Sequence, residues 1–313
     1  MLTTCIITPS YIGDIEQFSL LRKSVELYAK DFQHIVIVHS EDHGAFQVRF
    51  GGSPNITILK TSDVLPSFIE RRRKTKIKLM NSLKKRLFSR NLIEGWHIQQ
   101  LTKIYALTRC KYDSAAFIDS DVFLCKPLSL DYFMESGKLK LFRRAAINAE
   151  QMDFDISTHE MVGNDLHKVT QLYDYIFQPA CFKKSSAESL LNFLSNRYGD
   201  LWVDKFFSER RPSEYNLLGY SATVIERGVG YSLIECNPED IHHSIRFKED
   251  AANLRSEVDF CLKSKKQFFL IQSTVRLDTS LIAGAFNAVL AASAQQGAPA
   301  DGLASASLRQ ARR

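Results

Sequence analysis

The feature that most constrains the fold of this chain is the exchange of β-branched runs and amphipathic stretches that begins at its N-terminus. Thr4-Cys5-Ile6-Ile7-Thr8 reads as a strand and residues 16–28 as a helix. His34-Ile35-Val36-Ile37-Val38 and Asn55-Ile56-Thr57-Ile58-Leu59 read as two further strands. Parallel neighbours need a crossover between them, so this succession predicts an α/β fold. Its central sheet is expected to be mostly parallel and Rossmann-like, flanked by helices, with ligands at the carboxyl ends of the strands. Pro9-Ser10-Tyr11 stands at the first such end.

Further along, residues 93–108 have helical spacing, and Trp96, Gln100 and Lys103 share one face at i, i+4 and i+7. After a short turn, Ala115-Ala116-Phe117-Ile118 makes a buried strand, with Asp119-Ser120-Asp121 at its carboxyl end and Val122-Phe123-Leu124 continuing beyond. The second half is less regular. Strands are expected near 139–142, 178–182, 230–235 and 268–272, and helices near 186–197 and 213–225. From about Ala283 the chain is rich in Ala, Gly, Ser and Gln, which predicts a frayed helix and disorder. The division is therefore one domain over 1–282, with halves 1–130 and 131–282, and a tail over 283–313.

A chain of 313 residues with 45% apolar content can bury a large core. Its longest apolar runs fall far short of the roughly 20 residues that span a bilayer, and the N-terminus has no signal-peptide pattern. Six scattered cysteines show no framework and no CxxC pair. These features predict a reduced, cytoplasmic setting, with the cysteines as small buried apolar residues.

Net charge is +6, but ten basic residues and no acid lie between Arg71 and Arg90; outside that run 31 basic residues face 35 acidic ones. The basicity is local, which points to one docking site for an anionic partner. Ile77, Met80, Leu83 and Leu87 recur within the run at helical steps, so it reads as a basic amphipathic helix. It fits a lid packed on its own domain or a helix at an anionic membrane surface. Nucleic acid is disfavoured, since no aromatic alternation accompanies the charge.

Two carboxylates one residue apart at the end of a buried strand are costly unless something cationic meets them. A hard divalent cation, Mn²⁺ or Mg²⁺, is the economical answer: it takes carboxylate oxygens and completes its shell with water and phosphates. Asp119 and Asp121 are thus the candidate metal ligands. In sugar transfer such a cation would stabilise the charge developing on a nucleoside diphosphate leaving group. Walker, HExxH and GxGxxG patterns are absent from the sequence.

The Ile6-to-Tyr11 strand end, the Gly95-to-Lys103 helix, the Asp-x-Asp strand and Ser213-Glu214-Tyr215-Asn216 together resemble the GT-A fold glycosyltransferases. The likeness is to a bacterial group of cell-surface polysaccharide enzymes in particular. It implies a nucleotide-sugar donor and a glycan or lipid-linked acceptor, with residues 1–130 as the donor half and 131–282 as the acceptor half. It also implies that Pro9, Ser10, Tyr11, Asp119 and Ser120 face the nucleotide sugar, that Gln100 and Lys103 approach it, and that Asp121 acts in catalysis through the metal. Glu214, one residue after a capping Ser213, would bind the acceptor or take its proton. Gln272, next to Ser273, and the pair His242-His243 are candidates for a late contact to metal or diphosphate; adjacent histidines on a strand face opposite ways, so at most one could serve. A second reading is a non-catalytic protein that binds anionic surfaces and carries a degenerate site.

Overall fold

The computed structural model describes residues 2–72, 95–209, 211–245, 253–272, 275, 277–278, 280–285 and 287. Most of the basic run, from residue 73 on, lies outside them, as do Ser273 and nearly all of the tail. Among the described residues no helix is long and apolar enough to cross a membrane.

The strands in chain order are β1 (Thr4–Pro9), β2 (Gln33–Val38), β3 (Ile56–Lys60), β4 (Ser114–Phe117), β5 (Val122–Leu124), β6 (Met134–Glu135), β7 (Lys138–Ala145), β8 (Tyr173–Asp174), β9 (Ala180–Lys183), β10 (Tyr231–Glu235), β11 (His242–Ile245) and β12 (Phe268–Ile271). The helices are α1 (Ile15–Tyr28), α2 (His43–Phe50), α3 (Thr61–Val64), α4 (Gly95–Arg109), α5 (Ala149–Val162), α6 (Lys184–Tyr198), α7 (Trp202–Phe206), α8 (Glu214–Tyr220), α9 (Pro238–Ile241) and α10 (Leu254–Lys263).

The architecture is mixed α/β with a mostly parallel central sheet and flanking helices, as the strand–helix alternation predicts. That sheet runs β3-β2-β1-β4-β9. The first four strands are parallel and β9 is antiparallel to β4. β1 and β2 are buried at every position but their first, which explains their continuous apolar runs. The chain lays down β1, β2 and β3 outward, then returns to place β4 on the other side of β1. The switch point of the sheet therefore lies between the carboxyl ends of β1 and β4, where an open α/β sheet has its ligand crevice. Pro9-Ser10-Tyr11 and Asp119-Ser120-Asp121 emerge there.

One expectation changes at this point. Val122-Phe123-Leu124 does not prolong β4, because the chain turns, with the Val122 N–H donating to the Asp119 carbonyl at 3.1 Å. β5 then joins a separate sheet, antiparallel to β12, which is itself parallel to β11. The motif is thus a corner between two sheets. A third sheet, β10-β7-β6 with β8 also against β7, covers the second half.

A buried polar chain braces the same corner. Thr8 Oγ1 donates to the Ile118 carbonyl at 2.6 Å and lies 2.9 Å from His34 Nε2. His34 Nδ1 lies 3.5 Å from Arg22 Nη1 of α1. Since the Thr8 hydrogen is already used, His34 donates through Nε2 and accepts at Nδ1, so the ring is neutral. Burial, and then the Arg22 charge, push its pKa down to about 3.

α4 supplies the other wall, with ten of its fifteen residues buried, including Gln100, Thr102 and Lys103. The helix expected over 213–225 divides: α8 ends at Tyr220 and a single π-turn, Ser221–Ile225, follows. Ser213 caps α8 as its sequence position suggests, its Oγ accepting from the Asn216 N–H at 3.4 Å.

Candidate active site

A cavity of about 810 Å³ opens at the switch point. The end of β1 and the residues just after it contribute Pro9, Ser10 and Tyr11; α4 contributes Trp96, Gln100 and Lys103; the β4–β5 corner contributes Asp119, Ser120 and Asp121. Three segments singled out in the sequence therefore converge on one space, and the shared face of Trp96, Gln100 and Lys103 is the face that lines it. Asp14, His39, Thr61, Gln178 and Tyr215 also line it.

Its polar centre is Lys103, 1% exposed. Three oxygens surround the ammonium: Asp119 Oδ1 at 2.6 Å, Glu214 Oε1 at 2.7 Å and the Tyr215 hydroxyl at 3.1 Å. Burial works against the charge, but the Asp119 and Glu214 carboxylates outweigh it and hold the pKa well above its ordinary value. An ammonium has three N–H groups and all three have neighbours, so Lys103 binds its own chain before any ligand.

Glu214 is fully buried, and burial raises its pKa against the opposing pull of Lys103. Its carboxylate does not line the cavity, and its backbone N–H donates to Gln100 Oε1 at 3.1 Å. Glu214 Oε2 has no hydrogen-bond partner among the described residues. Gln272 is not among the residues that line the cavity; its N–H donates to the Ile245 carbonyl at 3.1 Å, and the preceding Ile271 N–H donates to the Asp121 carbonyl at 3.0 Å. His242 and His243 on β11 do not line it either; His242 is buried, and His243 Nε2 lies 2.6 Å from Glu257 Oε2.

Gln178 and Asp14 were not singled out by sequence reasoning. The Gln178 side chain grips Asp119 twice: Nε2 lies 2.5 Å from Asp119 Oδ2, and Oε1 accepts the Asp119 N–H at 3.3 Å. Ser120 Oγ donates to Asp14 Oδ2 at 3.0 Å. Burial raises the Asp14 pKa, while the hydrogen bonds from Ser120 and Tyr11 pull it back. A carboxylate in the loop that follows a ligand-facing strand end was the available signal for Asp14.

Among the described residues no group of three or more His, Cys, Asp or Glu side chains is arranged to hold a metal ion. Asp119 faces an ammonium with one oxygen and an amide with the other. A hard cation here would need Asp121, which also lines the cavity, with water and ligand oxygens to complete its shell.

The described part of the basic run packs on the chain itself, since Arg72 pairs with Asp204 of α7. Arg71 and Glu70 line a second cavity of about 670 Å³ that shares His39 and Thr61 with the first.

The model of a family of unknown function, DUF6492, matches residues 1–292, and the chain belongs to that family. No curated protein matches the sequence. Among solved structures, it is similar to the galactosyltransferase LgtC in complex with donor and acceptor sugar analogues. That match has 10% identity and a TM-score of 0.47, over 90% of this chain and 95% of that one. Mouse xyloside xylosyltransferase 1 in its apo form matches at 8% identity and a TM-score of 0.43, over 88% of this chain and 99% of that one. The mannosyltransferase Ktr4p from S. cerevisiae matches at 12% identity and a TM-score of 0.45, over 74% of this chain and 68% of that one.

Proposed function

We propose that this protein is a glycosyltransferase of GT-A type that moves a sugar from a nucleoside diphosphate to a glycan or lipid-linked acceptor in the synthesis of bacterial surface polysaccharide. The observation that carries the reading is the convergence of Pro9-Ser10-Tyr11, the Gln100 and Lys103 face of α4, and Asp119-Ser120-Asp121 on one cavity at the switch point of a parallel sheet. Its volume, about 810 Å³, falls in the range of ligand-sized cavities.

In this reading Ser10, Tyr11 and Ser120 contact the nucleotide sugar, and Asp121, with Asp119 beside it, would hold Mn²⁺ or Mg²⁺. A bound cation supplies charge neutralisation for the leaving diphosphate. Lys103 and Gln178 orient the Asp119 carboxylate. Glu214, which the resemblance implies binds the acceptor or takes its proton, acts in this reading as the buried counter-ion of Lys103, because its carboxylate pairs with the ammonium and does not line the cavity. The basic run, Arg71 to Arg90, would bring the enzyme to the anionic inner face of the membrane as a peripheral cytoplasmic protein.

The test is turnover and binding across a panel of UDP-, GDP- and CMP-sugars with and without Mn²⁺. Asp121→Ala should lower cation-dependent turnover on the order of a hundredfold or more while leaving the melting temperature near that of the parent. Near-native turnover in Asp121→Ala would remove the cation site, and a panel with neither binding nor turnover would remove the glycosyl-transfer reading.

A further inference from the structure

Tyr215 lines the cavity yet is only 4% exposed, so each hydrogen-bonding position of its phenol can be accounted for. Two groups reach the oxygen: Lys103 Nζ at 3.1 Å and Gln178 Nε2 at 2.8 Å. An ammonium has no lone pair and can only donate. The orientation of the Gln178 amide follows from its other contacts with Asp119. Oε1 faces the Asp119 N–H and Nε2 faces Asp119 Oδ2. Turning the amide over would set donor against donor at the first contact and acceptor against acceptor at the second. Nε2 therefore donates to Tyr215 as well.

Both acceptor positions of the phenol oxygen are thus filled by donors, and its own hydrogen can point at neither of them. None of the described residues accepts that hydrogen. A buried donor without an acceptor is costly, and Tyr215 is one of the residues that border the ligand space. The surroundings also select the kind of oxygen that would complete it. The one ammonium beside the phenol, Lys103, is already paired with two carboxylates, Asp119 and Glu214, so no uncompensated positive charge of this chain adjoins the hydroxyl. A phosphoryl oxygen would therefore find no free cation of the chain there, whereas an uncharged oxygen needs none.

We infer that the Tyr215 hydroxyl donates its hydrogen to a neutral oxygen of the bound sugar, a hydroxyl or the ring oxygen, and so recognises the glycosyl part of the donor and not its diphosphate. This inference rests on the glycosyl-transfer reading. The Lys103 and Gln178 contacts fix the phenol from behind, so it meets the sugar without losing side-chain freedom on binding.

The experiment is isothermal titration of the full chain with UDP against UDP-glucose and UDP-galactose, and with GDP against GDP-mannose. Tyr215→Phe should weaken the nucleotide sugar by about tenfold while leaving the nucleoside diphosphate within about twofold. Equal weakening of both ligands, or of neither, overturns the inference. If the parent binds none of the ligands, the glycosyl-transfer reading falls and takes the inference with it; if the parent binds and only the Tyr215 difference is missing, the inference alone falls. Removing the hydroxyl also strips Lys103 and Gln178 of a partner, so a second variant guards against misfolding. 3-Fluorotyrosine at position 215 keeps the shape and both contacts but is a stronger donor. It should tighten the nucleotide sugar and leave the nucleoside diphosphate unchanged, and an unchanged sugar affinity would again overturn the inference.

Discussion

At the scale of the residue, the centre of the site is a buried cation shared by two carboxylates. Lys103 stands within 2.7 Å of both Asp119 and Glu214, and burial alone would expel all three charges. Lys103→Met should therefore cost about 3–5 kcal/mol, because it strands two carboxylates without their partner. The loss should depend on pH in a definite sense. Burial raises the folded pKa of Glu214, so its ionised form opposes folding: that penalty is absent below the unfolded pKa and complete above the folded one. The variant should accordingly regain stability between neutral pH and the ordinary carboxyl value of 4.5, as the stranded carboxyl takes up a proton. Urea denaturation at the two pH values measures this, and a loss independent of pH would show that the carboxylates are not what the lysine offsets.

At the scale of the element, α8 carries Glu214 and Tyr215 to the cavity wall, and a missing side chain sets its distance from the neighbouring chain. A Cβ at Gly219 would lie 2.3 Å from the Tyr175 ring, itself 5% exposed and tied to α8 by the Tyr175 N–H donating to Asn216 Oδ1 at 3.2 Å. The ring has nowhere to go. Gly219→Ala should destabilise the protein by about 1–3 kcal/mol through overpacking, although alanine is the better helix former. A urea midpoint equal to or above that of the parent would contradict this packing. α4 shows why periodicity alone misjudges such elements. Its Gln100, Thr102 and Lys103 would sit on the wet face of a surface helix, but α4 is covered on several sides and turns them inward to one another and to the ligand space.

At the scale of the whole molecule, the Arg22–His34–Thr8–Ile118 chain crosses from α1 through β2 and β1 to the strand that ends in the motif. It makes the fold sensitive to acid. Below about pH 6.5 the unfolded chain protonates its histidine. The folded His34 does not until about pH 3. Stability should fall with decreasing pH across that window, by up to about 1.4 kcal/mol per unit from this group. In His34→Gln the acid limb should be shallower by close to one proton between about pH 6 and pH 4. A slope unchanged from the parent would show that His34 is not the group that resists protonation.

The order of the chain alone determined the parallel strands β1 to β4, the helices read at 16–28 and 93–108 and seen as α1 and α4, and the carboxylate pair at a strand's end. Each of these is a local pattern of apolar spacing and punctuation, and local patterns survive in a linear sequence. α2 and α5 were not read, because short or weakly amphipathic helices leave little periodic trace. The departure of β5 into a second sheet depended on a partner strand nearly 150 residues downstream, Phe268 opposite Leu124. The inner arrangement of the site belongs wholly to the tertiary structure. Gln178 meets Asp119 across 59 positions and Tyr215 meets Lys103 across 112. Spacing along a strand or helix reaches only a few residues, so it could place Asp119 and Lys103 near a ligand but not show that the lysine is occupied by Asp119 and Glu214. That was decided by the packing of α4 and α8 against the switch point, which leaves a buried ammonium no oxygens to bind except those of its own chain.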